Sequence, residues 1–137
     1  MELKENALTL EIYQCLRENV GWMNFDAEQA KKAVEKSLYT LTAFDGEKPV
    51  GMGRIVGDGM YHIICDIVVR PEYQGQGIGT KLVTELVRFL EEQTPEGGRS
   101  SVHLIAEKGK EGFYEKLGFK ALPHEFCGAG MRKVIRR

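Results

Sequence analysis

From Val68 to Leu82 the chain passes from an apolar run through Arg70-Pro71 into glycines at positions 75, 77 and 79, then straight into a helical repeat of apolar residues. That order places bare backbone at a helix start, where unpaired N–H groups and the helix dipole favour an anion. Glycines let successive N–H groups approach a phosphate with no Cβ atoms in the way. The plainer reading is a tight strand-to-helix turn, but three alternating glycines exceed what a turn requires. The segment therefore calls for a fold in which a central strand feeds a helix through an anion-binding turn.

The preceding strand, from about Tyr61 to Arg70, is apolar on both faces and broken only by Asp66. Such a run belongs in the middle of a sheet covered on both sides. The following helix carries Ile78, Leu82, Val83, Leu86, Val87 and Leu90 as one apolar stripe until Pro95-Glu96-Gly97-Gly98 breaks it. A short strand from Val102 to Ala106 completes a strand–helix–strand unit, which implies a parallel pair. Upstream, Thr9 caps a helix bearing Leu10, Ile12, Tyr13, Leu16 and Val20 and ending at Gly21, and Asp26 with Gln29 starts a second. Strands at Tyr39–Phe44 and Pro49–Val56 follow, joined by Asp45-Gly46. A short helix from Gly112 to Leu117 and two last strands flanking Cys127-Gly128-Ala129-Gly130 finish the chain. Met1 to Ala7 is a poor strand sequence. The sum is an α+β fold: a mixed, mostly antiparallel sheet with one parallel pair and flanking helices.

The 137 residues fit one domain, 1–137, with a single core. A net charge of -1 argues against a nucleic-acid binder, because counterion release needs a basic surface. Cys15, Cys65 and Cys127 show neither CxxC nor His-paired spacing, which points to reduced thiols in a cytoplasmic protein with no metal site. The N-terminus is too polar for a signal peptide, and no apolar stretch reaches membrane-span length.

Counting excludes two common phosphate loops. The nucleotide P-loop requires Gly, four residues, then Gly-Lys-Ser/Thr, whereas the fifth residue beyond Gly75 is Thr80 and Lys81 is followed by Leu82. The dinucleotide fingerprint requires a third glycine at position 80 and a repeated parallel unit, and antiparallel hairpins precede this loop instead. What remains is Gln-x-x-Gly-x-Gly at Gln74, Gly77 and Gly79, preceded by Val69-Arg70-Pro71. A second stretch, Gly112-Phe113-Tyr114-Glu115-Lys116-Leu117-Gly118-Phe119, lies one helix and one strand later.

In that order and spacing the two stretches resemble the acyl-CoA-binding motif and the later "YEKLGF" motif of the GNAT N-acetyltransferase superfamily, as a small bacterial-type single-domain member. Val20-Gly21-Trp22, Gly57-Asp58-Gly59 and Asp66-Ile67-Val68-Val69 look like a small-protein branch that includes bacterial enzymes of unassigned substrate and, more distantly, plant serotonin N-acetyltransferase-like proteins. The resemblance implies an initial strand, a splayed parallel pair, and transfer of the acetyl group of acetyl-CoA to a small primary amine by direct attack in a ternary complex. It implies that the backbone of Gln74, Gly75, Gln76, Gly77, Ile78 and Gly79, with Thr80, holds the pyrophosphate. Ile67, Val68 and Val69 would hydrogen-bond the pantetheine arm, one N–H near Ile67 or Val68 stabilising the oxyanion. It leaves a homodimer open.

Tyr114 occupies the family's general-acid position and would protonate the thiolate; otherwise it is an ordinary helix tyrosine packed with its hydroxyl satisfied. Asp66, a carboxylate in an apolar strand, is either a base for the incoming ammonium or the acceptor of a structural hydrogen bond. His62 lies four residues earlier, on the same face if no bulge intervenes, and is a second base candidate unless it is simply exposed. Glu107 stands where many family members carry Asn, which makes it a third. Trp22 and Phe25 either line an acceptor pocket between the first two helices or staple the second helix. Cys65 reads as inert packing. An alternative from another class is a non-catalytic acyl-CoA-binding or sensing domain that keeps the loop.

Overall fold

Side-chain caps start the first two helices. In the computed structural model, which describes residues 1–137, Thr9 Oγ1 accepts the Ile12 N–H at 3.2 Å and Asp26 Oδ2 accepts that of Gln29 at 3.0 Å. The helices they open are α1 (Leu10–Asn19) and α2 (Ala27–Glu35). The strands are β1 (Glu2–Glu5), β2 (Tyr39–Asp45), β3 (Lys48–Gly57), β4 (Tyr61–Val69) and β5 (Ser101–His103). Helix α3 spans Ile78–Gln93 after a 3-10 turn at Pro71–Tyr73, and α4 spans Glu111–Lys116. The strands form one sheet in the order β1-β2-β3-β4-β5, antiparallel except for the β4–β5 pair. The chain divides into two compact bodies, Met1–Ile105 and Ala106–Arg137.

In the first body the sheet is covered on both faces. Leu8, Tyr13, Leu16, Ala30, Met52 and Val68 form the core beneath α1 and α2. On the other face α3 buries Leu82, Val83, Leu86 and Leu90 completely or nearly so, each contributing about 1.5–3 kcal/mol. The helix can lie this close because β3 presents glycines to it. A Cβ on Gly53 would stand 2.6 Å from Ile67 Cδ1 and 2.8 Å from Leu86 Cδ1. Gly53→Ala is therefore expected to cost about 1–3 kcal/mol through overpacking, read as a lowered thermal midpoint with the secondary structure unchanged.

A bulge in β4 sets the remaining geometry. Met52 pairs with Val68 and Arg54 with Cys65, so Gly53 alone opposes both Asp66 and Ile67. Asp66 takes the left-handed conformation, φ 57, which aspartate tolerates better than most residues. The parallel pairing with β5 covers only Tyr61, His62 and Ile63, so β4 continues to Val69 without a neighbour on that side. This is the splay that the resemblance implies.

Two expectations change, and one point left open is decided. Within Met1 to Ala7, Glu2–Glu5 forms the initial strand that the resemblance implies: Leu3 pairs with Ala43 and Glu5 with Leu41, so the edge of β2 supplies the order that local propensity lacks. The last parallel strand is shorter than Val102–Ala106, ending at His103 where β4 and β5 diverge. The two closing strands do not form. The only regular feature there is a turn in which the backbones of His124 and Cys127 exchange hydrogen bonds of 2.9 and 3.1 Å. With Gly128, Gly130 and four basic residues, this tail has no alternating apolar face to bury, and Phe126 and Met131 stand 87% and 95% exposed.

Candidate active site

The loop has the form of an anion cradle. Gly75 (φ 79) and Gly77 (φ 83) adopt the left-handed conformation, and a Cβ at either would meet no protein atom within 4 Å. Gly77 caps α3 with no side-chain hydrogen bond, and the first helical bond runs from Lys81 N–H to Gly77 C=O at 3.0 Å. The N–H groups from Gly75 through Thr80 consequently have no protein acceptor. No acidic residue lies in the first turn of the helix. The loop also borders a depression of about 230 Å³ lined by Met1, Leu3, Gln76, Gly77, Ile78 and Lys81. Ile78 alone among these loop residues is buried, anchoring the helix start while Gln74, Gly75, Gln76, Gly77 and Thr80 face outward.

Distant side chains hold the loop in place. Arg70 donates from Nε to Pro49 C=O at 2.7 Å, from Nη1 to Asn19 Oδ1 and from Nη2 to Cys15 Sγ at 3.5 Å, tying the end of β4 to β3 and α1. Tyr73 Oη donates to Asp45 Oδ2 at 2.6 Å, which fastens the 3-10 turn to the β2–β3 hairpin. Gln74 Nε2 donates to Val69 C=O at 3.0 Å. Sequence reasoning missed Arg70 as a strut, because its partners lie up to 55 residues away.

The splay exposes a subset of the backbone expected there. Arg70 N–H donates to Val50 C=O at 2.8 Å, and the Val68 carbonyl points to the Gly51 side. Alternation then turns the peptide groups of Ile67 and Val69 to the open edge. Val68, expected to share in the pantetheine contacts, instead faces β3 with its backbone and the core with its side chain, 2% exposed.

Asp66 is the centre of an ion cluster. Its Oδ1 accepts from Arg17 Nη1 at 2.6 Å, and its Oδ2 from Arg54 Nε at 2.8 Å and Tyr13 Oη at 3.0 Å. The side chain is 8% exposed. A carboxylate whose oxygens are already held by two guanidiniums and a phenol must break one of those bonds to take a substrate proton. The arrangement therefore suits the structural alternative better than the base. Burial and Asp66 push the Tyr13 phenol up to about 12, and burial pushes the Cys65 thiol up to about 11, so both stay protonated at neutral pH. Cys65 is thus an unreactive packing thiol.

Because the bulge intervenes, His62 and Asp66 lie on opposite faces. His62 pairs with Gly57 in register and, with Ile64, shares the α3-covered face; it is 2% exposed and its Nδ1 has no partner. A buried ring on the far side of the sheet from Asp66 does not fit the role of a base acting through water.

Arg17, Arg54 and Tyr13 went unnoticed in the sequence, although a signal exists. Arg17 sits among Tyr13, Leu16 and Val20 on the apolar face of α1, and Arg54 interrupts an apolar strand. Arg17 also organises the α1–α2 connection. Its guanidinium carbon lies 5.3 Å from the Trp22 ring centre and 5.2 Å from that of Phe25, and Nη2 donates to Met23 C=O at 2.6 Å. Trp22 packs against the core cluster, whereas Phe25 is 54% exposed.

In the second body, Tyr114 lies on α4 between Phe113 and Phe119, with edge-on ring centroids at 5.0 and 6.0 Å. Gly118 (φ 94) ends the helix, and Phe119 N–H returns to Tyr114 C=O at 3.1 Å. Burial first, and then the charge of Glu107, raises the Tyr114 pKa, with no hydrogen bond to the hydroxyl contributing. The phenol is thus protonated at neutral pH and half-buried, with its hydroxyl not tied to a protein acceptor.

Comparison with known proteins agrees with this geometry. The model of the acetyltransferase (GNAT) domain matches residues 14–135. GCN5-related N-acetyltransferase 2, chloroplastic, of Arabidopsis thaliana is 39% identical, covering 87% of this chain and 54% of its own. Serotonin N-acetyltransferase 2, chloroplastic, of Oryza sativa subsp. japonica is 32% identical, covering 80% of this chain and 55% of its own. The chain thus spans about half the length of these curated relatives. A solved probable acetyltransferase from Staphylococcus aureus superposes with TM-score 0.83 at 30% identity, covering 97% of this chain and 98% of that one. No helix is long and apolar enough to cross a membrane. A matched domain model over most of the chain, a shared fold and a glycine cradle before α3 agree: the chain belongs to the GNAT acetyltransferase family, whose fold binds acyl-CoA.

Proposed function

We propose that the chain is a single N-acetyltransferase domain, residues 1–137, that transfers the acetyl group of acetyl-CoA to a primary amine by direct attack in a ternary complex. The observation that carries this reading is the run of unpartnered N–H groups from Gly75 through Thr80 at the start of α3, a fit for a pyrophosphate. Gln74, Gly75, Gln76, Gly77, Ile78, Gly79 and Thr80 hold that group, and the open-edge peptides of Ile67 and Val69 hold the pantetheine arm.

The amine nitrogen bonds to the thioester carbonyl carbon, and the Ile67 N–H stabilises the oxygen that becomes negative. The carbon–sulfur bond then breaks, and Tyr114 gives its proton to the departing thiolate. The nitrogen's surplus proton leaves to water, and the Tyr114 phenolate regains a proton from water, which returns the site to its starting state. Asp66 acts as a positioning residue: it clamps the bulge that turns Ile67 to the open edge. Trp22 and Phe25 form the acceptor side. The three free cysteines fit a reducing compartment such as the cytoplasm.

Tyr114→Phe is expected to lower kcat about 100-fold, within the usual range for removing a general acid, while acetyl-CoA affinity measured by calorimetry stays within twofold. Release of the CoA thiol across a panel of amines tests the reaction itself. Acetyl-CoA binding without turnover on any amine would support a non-catalytic acyl-CoA-binding domain, and failure to bind acetyl-CoA would remove both readings.

A further inference from the structure

Arg17 and Arg54 share one carboxylate. Each makes its only ion pair with Asp66, at 2.6 and 2.8 Å, so the cluster carries one positive charge more than it balances. The two arginine side chains are 11% and 13% exposed. Tyr13 and Cys65, the other titratable groups at the cluster, are neutral, and the remaining ion pairs join Lys48 to Glu72 and Arg88 to Glu85 and Glu92. The Met23 carbonyl and the faces of Tyr13, Trp22 and Phe25, at 5.6, 5.3 and 5.2 Å from the Arg17 guanidinium carbon, offset part of that charge, but a poorly solvated cation is balanced in full only by something of opposite charge.

Donors at the cluster are also left over. Arg17 Nε is buried with no acceptor. Arg54 uses Nε for Asp66 and Nη1 for Ser37 Oγ at 3.2 Å, which leaves Nη2 without a protein partner. Asn24 Nδ2, bonded to Glu18 Oε1 at 2.8 Å, pins the aromatic α1–α2 connection beside Arg17. All of this adjoins the reacting centre, since Asp66 directly precedes Ile67.

Resting on the acetyltransferase reading above, we infer that the acceptor is a small amine bearing an acidic group, an amino acid or a close analogue, whose anion completes the Arg17–Arg54–Asp66 cluster. The surplus charge selects in both directions. A carboxylate a few bonds from the attacking nitrogen meets a guanidinium edge and gains charge-assisted hydrogen bonds. A diamine brings a second cation to the same place and is repelled.

The test uses the whole chain, acetyl-CoA and three amines: phenylalanine, 2-phenylethylamine, which lacks only the carboxylate, and putrescine. Thiol release should give phenylalanine a kcat/KM about tenfold or more above 2-phenylethylamine, the equivalent of one charge-assisted contact, with putrescine lowest. Arg54→Gln should erase the preference by raising KM for phenylalanine, and Arg54→Lys should retain much of it. If Arg54→Gln does not fold, the wild-type ratio and its decline with added salt decide the matter. Equal or better use of 2-phenylethylamine or putrescine overturns the inference and leaves acetyl transfer standing. An absence of turnover on all three and across a wider amine panel overturns the acetyl-transfer reading as well.

Discussion

Asp66→Ala is expected to destabilise the protein by about 3–5 kcal/mol, because it leaves two nearly buried guanidiniums without their shared counterion. For a chain of this size that is a fall of roughly 10–20 °C in the thermal midpoint. The carboxylate stands on β4, is 8% exposed and receives donors from α1 and β3, so one substitution disturbs three elements. Alanine adds strain at φ 57, which asparagine tolerates; Asp66→Asn should therefore fall between wild type and Asp66→Ala in a melt. The measurement separates two roles. A residue serving only as a base could be replaced with little effect on stability, so an unchanged midpoint with lost turnover would return Asp66 to catalysis. A large drop in midpoint marks it as the clamp of the bulge.

Gly77→Val should weaken acetyl-CoA binding about 100-fold or more. Each charge-assisted hydrogen bond lost from the cradle is worth about 1.5–3 kcal/mol, and two such losses suffice for that change. A side chain at φ 83 costs about 1–2 kcal/mol in the folded protein, and a β-branched one more, which the control below measures. No protein atom lies within 4 Å of the added Cβ, so the fold has room for it and the ligand does not. Gly59 supplies the control, with φ 99 and equally open surroundings, but in the turn between β3 and β4. Gly59→Val should cost comparable stability and leave binding intact. Equal loss of affinity in both variants would mean that backbone strain, rather than an occupied cradle, explains the result.

The cradle was legible because its determinants are local. Positive φ at Gly75 and Gly77, the missing cap and the amphipathic stripe of α3 all lie within one short stretch. The α1 and α2 caps were readable for the same reason. The bulge was not, because nothing near Asp66 announces it: the residue sits among Cys65, Ile67 and Val68 with no glycine or proline. Its left-handed conformation is held by Tyr13 and Arg17, 53 and 49 residues away in sequence, and by Arg54 from the neighbouring strand. That one inserted residue reversed the expected relation between His62 and Asp66. It also turned Ile67, and not Val68, to the open edge.

By itself, then, the sequence determined the family, the order of helices and strands from α1 to α4, and a glycine loop that leaves bare N–H groups at a helix start, since each rests on short-range spacing and backbone conformation. Only the tertiary structure decided what the chemistry meets at the splay. It converted a lone carboxylate from a candidate base into the shared counterion of two arginines, and it left a surplus cation where the acceptor is proposed to enter. The physical reason is that charge balance belongs to side chains brought together from α1, β3 and β4, and no local pattern records which of them will share a partner.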